Sequence, residues 1–222
     1  VKFGVIRFPG SCDEVDAVLA CERVPGASAA LLWHGDEDLH GAEAIVVPGG
    51  FSYGDYLRVG AIARFSPVME SVFRFARDGG LVLGICNGFQ VLCEAGLLPG
   101  ALLPNVERRF VCRQVDVQVQ RAAMPFMADC APGELLSIPV KHTTGRYYAP
   151  PQDLERLEAQ GQILLRYAED GNPNGSCNDV AGVCNAAGNV FGLMPHPEHA
   201  VDPLTGSTDG LKIFLSMAHA HG

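Results

Sequence analysis

The sequence is short of positive charge and has no cluster of it. Among 222 residues, 16 are Lys or Arg against 25 Asp or Glu, a formal net charge of −9. The densest basic stretch, Glu107-Arg108-Arg109 with Arg113, is short and interrupted. Binding to nucleic acid needs a basic footprint for the phosphates, so no nucleic-acid partner is expected. None of the eight cysteines, at 12, 21, 86, 93, 112, 130, 177 and 184, lies in a Cys-x-x-Cys pair, which excludes a zinc ribbon and a thioredoxin motif. A chain that is 48% hydrophobic does not need a disulfide framework, so most of these cysteines are expected as small buried hydrophobes, and no metal site is expected. No apolar run approaches the roughly 20 residues that span a bilayer. The opening Val1-Lys2-Phe3 has no basic start followed by a cleavage site. A cytoplasmic protein with no membrane partner is the expectation. With no internal repeat, low-complexity tract or linker, residues 1–222 read as one domain.

What is present alternates. Residues 3–8, 29–33, 44–47 and 81–85 read as short apolar strands, and 13–23, the stretch opened by Ser66-Pro67, and 89–95 read as helices. The first helix has acidic residues near its start and an apolar set at Val15, Val18, Leu19 and Cys21. Ser66 is the expected N-cap of the second, with Pro67 at its first position and Val68, Val72, Phe73 and Ala76 on one face. Continuous apolar strands alternating with helices predict an α/β fold with a mostly parallel sheet covered on both faces. The second half differs. Strands at 110–119, 135–140, 162–168, 180–184 and 190–194, joined by turn signals, predict an antiparallel portion, followed by a final helix over 209–220.

The stretch LVLGICNGFQVL, residues 81–92, runs from an apolar strand through Gly84-Ile85-Cys86-Asn87-Gly88 into a helix. Cys86 is either one more buried thiol or the nucleophile of a strand-to-helix elbow, where glycines two before and two after allow close backbone approach. In the second case the helix turns its N-terminal N–H groups and positive dipole end toward the sulfur, which favours a thiolate. A thiolate needs a base. His196, in NVFGLMPHPEHA at the end of an apolar stretch, differs from His34, His40, His219 and His221, whose polar or terminal surroundings read as surface. Pro197 keeps His196 out of the helical region, so His196-Pro197-Glu198 is expected extended, with Glu198 on the same side as His196 and His199 a bystander. An ordinary polar loop is the other reading of those residues. PGGFSYGDYLRVG, residues 48–60, lacks both Gly-Lys-Ser/Thr and Gly-x-Gly-x-x-Gly. It is a turn, or an oxyanion hole built from the Gly49-Gly50 backbone.

Pro48-Gly49-Gly50, then Gly84 through Gln90, then His196-Pro197-Glu198, in that order, resemble class I glutamine amidotransferases. The resemblance covers nearly the whole chain. It implies a flavodoxin-like sheet and a triad of Cys86, His196 and Glu198. It also implies oxyanion donors at the backbone N–H groups of Gly50 and Asn87, and glutamine contacts from Gly49, Phe51, Gln90 and His142. Within the family, Phe51-Ser52-Tyr53-Gly54-Asp55 and Asn172-Pro173-Asn174-Gly175-Ser176 are similar to the glutaminase subunits of purine biosynthesis. That implies hydrolysis of L-glutamine through a cysteine thioester. The ammonia then passes to a large synthetase subunit, accompanied by a small third subunit, which converts formylglycinamide ribonucleotide to formylglycinamidine ribonucleotide. No cofactor is expected on this chain, and ATP and Mg are expected on the synthetase.

The sequence departs from the family's pattern twice. Ser11-Cys12-Asp13 stands where the family has Ser-Asn-Cys-Asp, one residue shorter, and His142-Thr143-Thr144-Gly145-Arg146 stands for His-Gly-Glu-Gly-Arg. The alternatives are an amidotransferase subunit for another acceptor, a free-standing cysteine hydrolase, a non-catalytic glutamine sensor and a redox-sensing cysteine protein.

Overall fold

The structure, a computed structural model, describes residues 1–220, and His221 lies outside the described residues. The first half runs β1 (Lys2–Arg7), α1 (Glu14–Glu22), β2 (Ser28–Trp33), β3 (Ala44–Val47), α2 (Pro67–Arg77), β4 (Leu81–Ile85) and α3 (Asn87–Glu94). The second runs β5 (Ala101–Pro104), β6 (Val111–Val119), β7 (Leu135–His142), β8 (Thr144–Tyr148), α4 (Pro151–Ala159), β9 (Ile163–Tyr167), β10 (Val180–Cys184), β11 (Val190–Leu193) and α5 (Leu211–His219). The sequence pattern finds the strands of both halves but misses β5, β8 and α4. β5 and β8 pair only with each other, and α4, PQDLERLEA, is largely polar and buries only Leu154 and Leu157.

Among the described residues nine strands form one sheet in the order β2-β1-β3-β4-β11-β10-β9-β6-β7. The first five are parallel and the rest antiparallel. The parallel part has the flavodoxin-like order, and β11, from the end of the chain, fills its last place. β3, β4 and β11 are buried along their whole length, as strands covered on both faces must be. The β1-α1-β2 and β3-α2-β4 units step in opposite directions along the sheet, so right-handed crossovers put α1 and α2 on opposite faces. β6 alternates buried and exposed residues toward its end, the mark of an antiparallel strand with one wet face.

The antiparallel strands do not continue a flat sheet. β11 and β7 are four places apart, roughly 19 Å at about 4.8 Å per strand. Yet the His196 N–H, just past β11, donates to the Pro139 carbonyl of β7 at 2.8 Å. The sheet therefore curls, and β7 arches over the carboxyl ends of the parallel strands.

Three local expectations change. α1 buries Glu14, Ala17, Ala20 and Cys21 while Val15 and Leu19 are exposed, so its inward face is the small-residue one. Ser66 sits at the N-cap of α2 but its hydroxyl bonds Tyr53 Oη (2.8 Å), which also meets His34 Nδ1 (2.7 Å). That contact half-buries His34. The eight cysteines are all unpaired; Cys21, Cys86, Cys130 and Cys184 are buried, whereas Cys12 and Cys112 are exposed. Among the described residues no helix is long and apolar enough to cross a membrane.

Buried Asn189 joins the parallel core: its Nδ2 donates to the Ala76 carbonyl of α2 (2.7 Å) and the Gly80 carbonyl before β4 (2.9 Å). Asn189→Ala takes both bonds away and should cost about 2 kcal/mol, read as a lower urea midpoint at unchanged slope. An unmoved midpoint would mean that these carbonyls do not depend on the amide.

Candidate active site

The carboxyl ends of β1, β3, β4 and β11 converge, and the sequence-predicted residues come with them. Cys86, between β4 and α3, has φ 50° and ψ −102°, a strained backbone for a residue with a side chain. The flanking glycines make the turn possible. A Cβ on Gly88 would lie 1.8 Å from the Val47 carbonyl oxygen, and one on Gly84 2.9 Å from Gly88 backbone and 2.5 Å from Leu92. The elbow reading is the one the geometry fits. α3 starts at once, at Asn87, so the N–H of Asn87 is among those a helix leaves without internal partners.

His196 and Glu198 arrive from β11. His196 Nδ1 and Glu198 Oε1 are 2.6 Å apart, and the two residues are 1% and 3% exposed. The contact is made differently from the sequence expectation. Residues 197–199 form a single 3-10 turn, not an extended run, and the turn folds Glu198 back onto the ring. His196 Nε2 is buried without a partner among the described residues, which leaves it for the sulfur of Cys86. Burial works against a charged imidazole here, but the Glu198 carboxylate and the Cys86 sulfur outweigh it and push His196 well above the ordinary histidine range. Cys86 Sγ also lies 4.0 Å from the Lys141 carbonyl oxygen.

His199 is not a bystander. Its Nε2 is 3.3 Å from Asp13 Oδ1 and 3.5 Å from Glu198 Oε1. Asp13, 3% exposed, pairs with Lys141 Nζ through the same oxygen and sets Oδ2 3.7 Å from His196 Nδ1. Burial raises the proton affinity of Asp13, but His199, His196 and Lys141 together hold it well below the usual carboxylate range. Asp13, His196, Glu198 and His199 lie close enough to suggest a metal cluster. The Lys141 ammonium already supplies the cation, so the set reads as an ion-pair network. Sequence reasoning missed Asp13 and Lys141 because nothing local joins residues 128 apart. The available signal was a lone lysine in the apolar strand LLSIPVKH.

Beside the elbow is a cavity of about 290 Å³ lined by Gly50, Phe51, Asp55, Cys86, Gln90 and His142 among others. That volume suits a ligand of amino-acid size. Gln90 Nε2 donates to the Thr144 carbonyl (2.5 Å), and its Oε1 accepts from Asn87 Nδ2 (2.9 Å). Asn87 Oδ1 in turn accepts the Ser52 N–H (2.9 Å), so one side chain ties the glycine-rich loop to α3. Gly49 sits behind the cavity wall, where a Cβ would meet Asp13 Oδ2 at 2.4 Å and His196 Cε1 at 2.7 Å. His142 lines the cavity, but both its ring nitrogens are engaged elsewhere. Nδ1 donates to Asn105 Oδ1 (3.1 Å), which also accepts the Gly145 N–H, and Nε2 faces Asn174 Nδ2 (3.4 Å). That arrangement requires a neutral ring, and burial lowers His142 to about 4. The Asn172–Ser176 motif thus serves this loop: Asn174 also donates to the Gly145 carbonyl (2.9 Å).

A family model described as a CobB/CobQ-like glutamine amidotransferase domain matches residues 1–212. The chain belongs to the glutamine amidotransferases. It is 60% identical over 217 residues to the phosphoribosylformylglycinamidine synthase subunit PurQ of Rubrobacter xylanophilus, covering 98% of this chain and 97% of that one. To the subunit of the same name from Thermus thermophilus it is 52% identical over 223 residues, with the same coverage. Its fold superimposes on a chain of PurLQS from Thermotoga maritima with a TM-score of 0.91 at 42% identity, covering 100% of this chain and 99% of the other. The amidotransferase fold and the antiparallel portion foreseen from the sequence are both present.

Two outcomes are expected. Gly88→Ala drives a Cβ into backbone that cannot swing aside and should destabilise the amidotransferase by about 3 kcal/mol, seen as a lower thermal midpoint; a wild-type midpoint would show that α3 can shift off β3. The neutral state of His142 should make stability fall with acid. An unfolded histidine takes up its proton near pH 6.5, while the folded ring refuses it down to about 4. Stability should therefore drop as pH falls through that window, and His142→Asn, which keeps a donor toward Asn105, should flatten the drop in urea titrations at pH 5 and 7. Equal slopes in both proteins would overturn the assignment.

Proposed function

We infer that the chain is the glutamine-hydrolysing subunit of a phosphoribosylformylglycinamidine synthase, a single domain acting in the cytoplasm. One observation carries the chemistry: a strained cysteine at a strand-to-helix elbow shares a buried site with a histidine already bonded to a carboxylate. The relatives carry the choice of pathway, since similarity at this level extends over nearly both full lengths.

Cys86 acts as thiolate and attacks the side-chain amide carbon of L-glutamine. The amide oxygen becomes an oxyanion, met by the backbone N–H groups of Gly50 and Asn87. His196, as imidazolium, gives its proton to the departing nitrogen, and ammonia leaves a γ-glutamyl thioester on Cys86. The neutral imidazole then takes a proton from water, the hydroxide attacks the thioester, and glutamate is released with the sulfur restored as thiolate. Glu198 keeps the ring oriented and compensates its positive charge. Gln90 and Phe51 wall the glutamine, and Gly49 acts from behind that wall, where its carbonyl is held by the Cys12 and Asp13 N–H groups. His142 supports the pocket through the loop it anchors, which differs from direct contact by its ring.

Ammonia released into water would be protonated and lost, so the reaction needs an acceptor enzyme. The acceptor is the large synthetase subunit, with the small third subunit, which uses ATP and Mg to convert formylglycinamide ribonucleotide to formylglycinamidine ribonucleotide. This chain needs no cofactor of its own.

The test is glutamate release from glutamine by the chain alone and with the synthetase subunits, ATP, Mg and formylglycinamide ribonucleotide. Strong stimulation by the full mixture is expected, whereas fast release by the chain alone would favour a free-standing hydrolase. In the full mixture Cys86→Ala should abolish glutamine use and leave ammonium-supported synthesis intact. Glu198→Gln should lower the glutamine-dependent rate less than Cys86→Ala does. Retained glutamine use in Cys86→Ala would remove the nucleophile assignment.

A further inference from the structure

The loop after β1 touches the site in two places, and Asp13 takes part in both. The first is through backbone. The Gly49 carbonyl accepts the N–H groups of Cys12 (3.2 Å) and Asp13 (3.4 Å). A trans peptide points its C=O and the next N–H in opposite directions. Fixing the Gly49 oxygen toward the start of α1 therefore turns the Gly50 N–H the other way, toward the cavity that Gly50 lines. The next peptide is fixed as well, because the Phe51 N–H donates to the Gly10 carbonyl at 3.0 Å. Gly50 has φ 135°, and a Cβ there would lie 2.6 Å from the Cys12 nitrogen, so the two segments run flush.

The second contact is through the carboxylate. Lys141 Nζ and His199 Nε2 both hold Oδ1, and Oδ2 lies 3.7 Å from His196 Nδ1. That is too long for a hydrogen bond, and Glu198 at 2.6 Å already makes it. What Asp13 adds is a second negative charge on the same side of the ring. The charged or titratable groups facing His196 are thus Glu198 from its own turn, Asp13 from the loop before α1, Cys86 at the elbow, His199 with ring centroids 5.5 Å apart, and His142 from β7, with Lys141 of β7 behind Asp13.

We propose that Asp13 is a positioning residue for glutamine hydrolysis: its N–H helps clamp the Gly49 peptide so that the Gly50 N–H meets the oxyanion, and its carboxylate, braced by Lys141 and His199, steadies the His196 imidazolium beside Glu198. The proposal rests on the glutaminase reading above. It treats residues 11–13, Lys141 and His199 as one device that couples the oxyanion donor to the base.

Asp13→Asn keeps the side-chain shape and the backbone bonds but removes the charge. Lys141→Met removes the counter-charge and leaves Asp13 less neutralised. Both are assayed in the full synthetase complex for glutamine-dependent kcat, KM and the pH dependence of kcat/KM. Asp13→Asn should lower kcat roughly 10-fold with little change in KM. It should also move the alkaline limb, where the imidazolium loses its proton, down by about one pH unit, a modest share of what a unit charge below 4 Å exerts. Lys141→Met should move that limb in the opposite direction. A purely structural role moves neither limb, or moves both the same way, and either result overturns the proposal. If Asp13→Asn fails to fold, Lys141→Met decides: an upward shift supports the proposal and an unmoved limb overturns it. Failure of the glutaminase reading itself would show as no glutamate from the wild-type complex. The pH titration of the His196 ring followed by NMR then gives the answer without turnover, with loss of the imidazolium proton at lower pH in Asp13→Asn expected and an unchanged titration overturning the proposal.

Discussion

A residue with a side chain held at φ 50° and ψ −102° stays there only if the surrounding backbone leaves it no alternative, and Cys86 is so confined. Below it, β4 is buried on both faces with no room to slide. Above it, α3 is pressed so close to β3 that Gly88 has no space for a Cβ against the Val47 carbonyl. The strain, of order 1–3 kcal/mol, is borne by the packing of the parallel core. The same contact sets the rest of the site. It fixes where the first turn of α3 points, hence where the Asn87 N–H lies. Through the Asn87 side chain it also fixes how the glycine-rich loop runs past the sulfur.

The charges around His196 are a second constraint, and it is met collectively. A buried carboxylate alone would take up a proton, and a buried ammonium would lose one. Here Glu198 and Asp13 face the imidazole, and Lys141 balances Asp13 from across the sheet. Bringing Lys141 there is the work of the antiparallel strands. In a flat sheet β7 would lie far from the end of β1, so the curl that carries it over the site is part of the electrostatics as much as of the fold. The antiparallel half, which supplies neither Cys86 nor His196 nor Glu198 from β6, β7, β9 or β10, thereby shapes the charge around His196.

What the sequence made legible follows from how local each signal is. The strand–Gly-x-Cys-x-Gly–helix pattern occupies a dozen consecutive residues, and its steric logic needs no partner, so the elbow could be read directly. Glu198 was placed correctly beside His196 for a reason that did not hold: the pair meets through a tight 3-10 turn, and spacing alone cannot separate that from an extended chain. Val15 and Leu19 misled because apolar residues on a short helix at the sheet edge need not face the core when Ala17 and Ala20 allow a closer approach. Asp13, Lys141 and His199 were out of reach, since their meeting depends on sheet curvature that no periodicity encodes.

The two departures from the family's pattern bear on how such a site tolerates change. Thr143 and Thr144 replace residues of a familiar motif at the cavity wall, yet their contributions come through backbone: the Thr143 carbonyl accepts the Asn105 N–H at 2.9 Å, and the Thr144 carbonyl accepts Gln90 Nε2 at 2.5 Å. Any residue with an accessible carbonyl can do this, provided Gly145 keeps its place, where a Cβ would strike the His142 ring at 2.5 Å. The shortened Ser11-Cys12-Asp13 loop follows the same logic. It meets Gly49 with two backbone N–H groups, and only Asp13 adds a side chain to the network around His196. Where a motif works through main-chain atoms, its letters can change while its geometry stays. Main-chain atoms cannot stand in for the side-chain charges of Asp13 and Lys141 or for the missing side chains of Gly88 and Gly145.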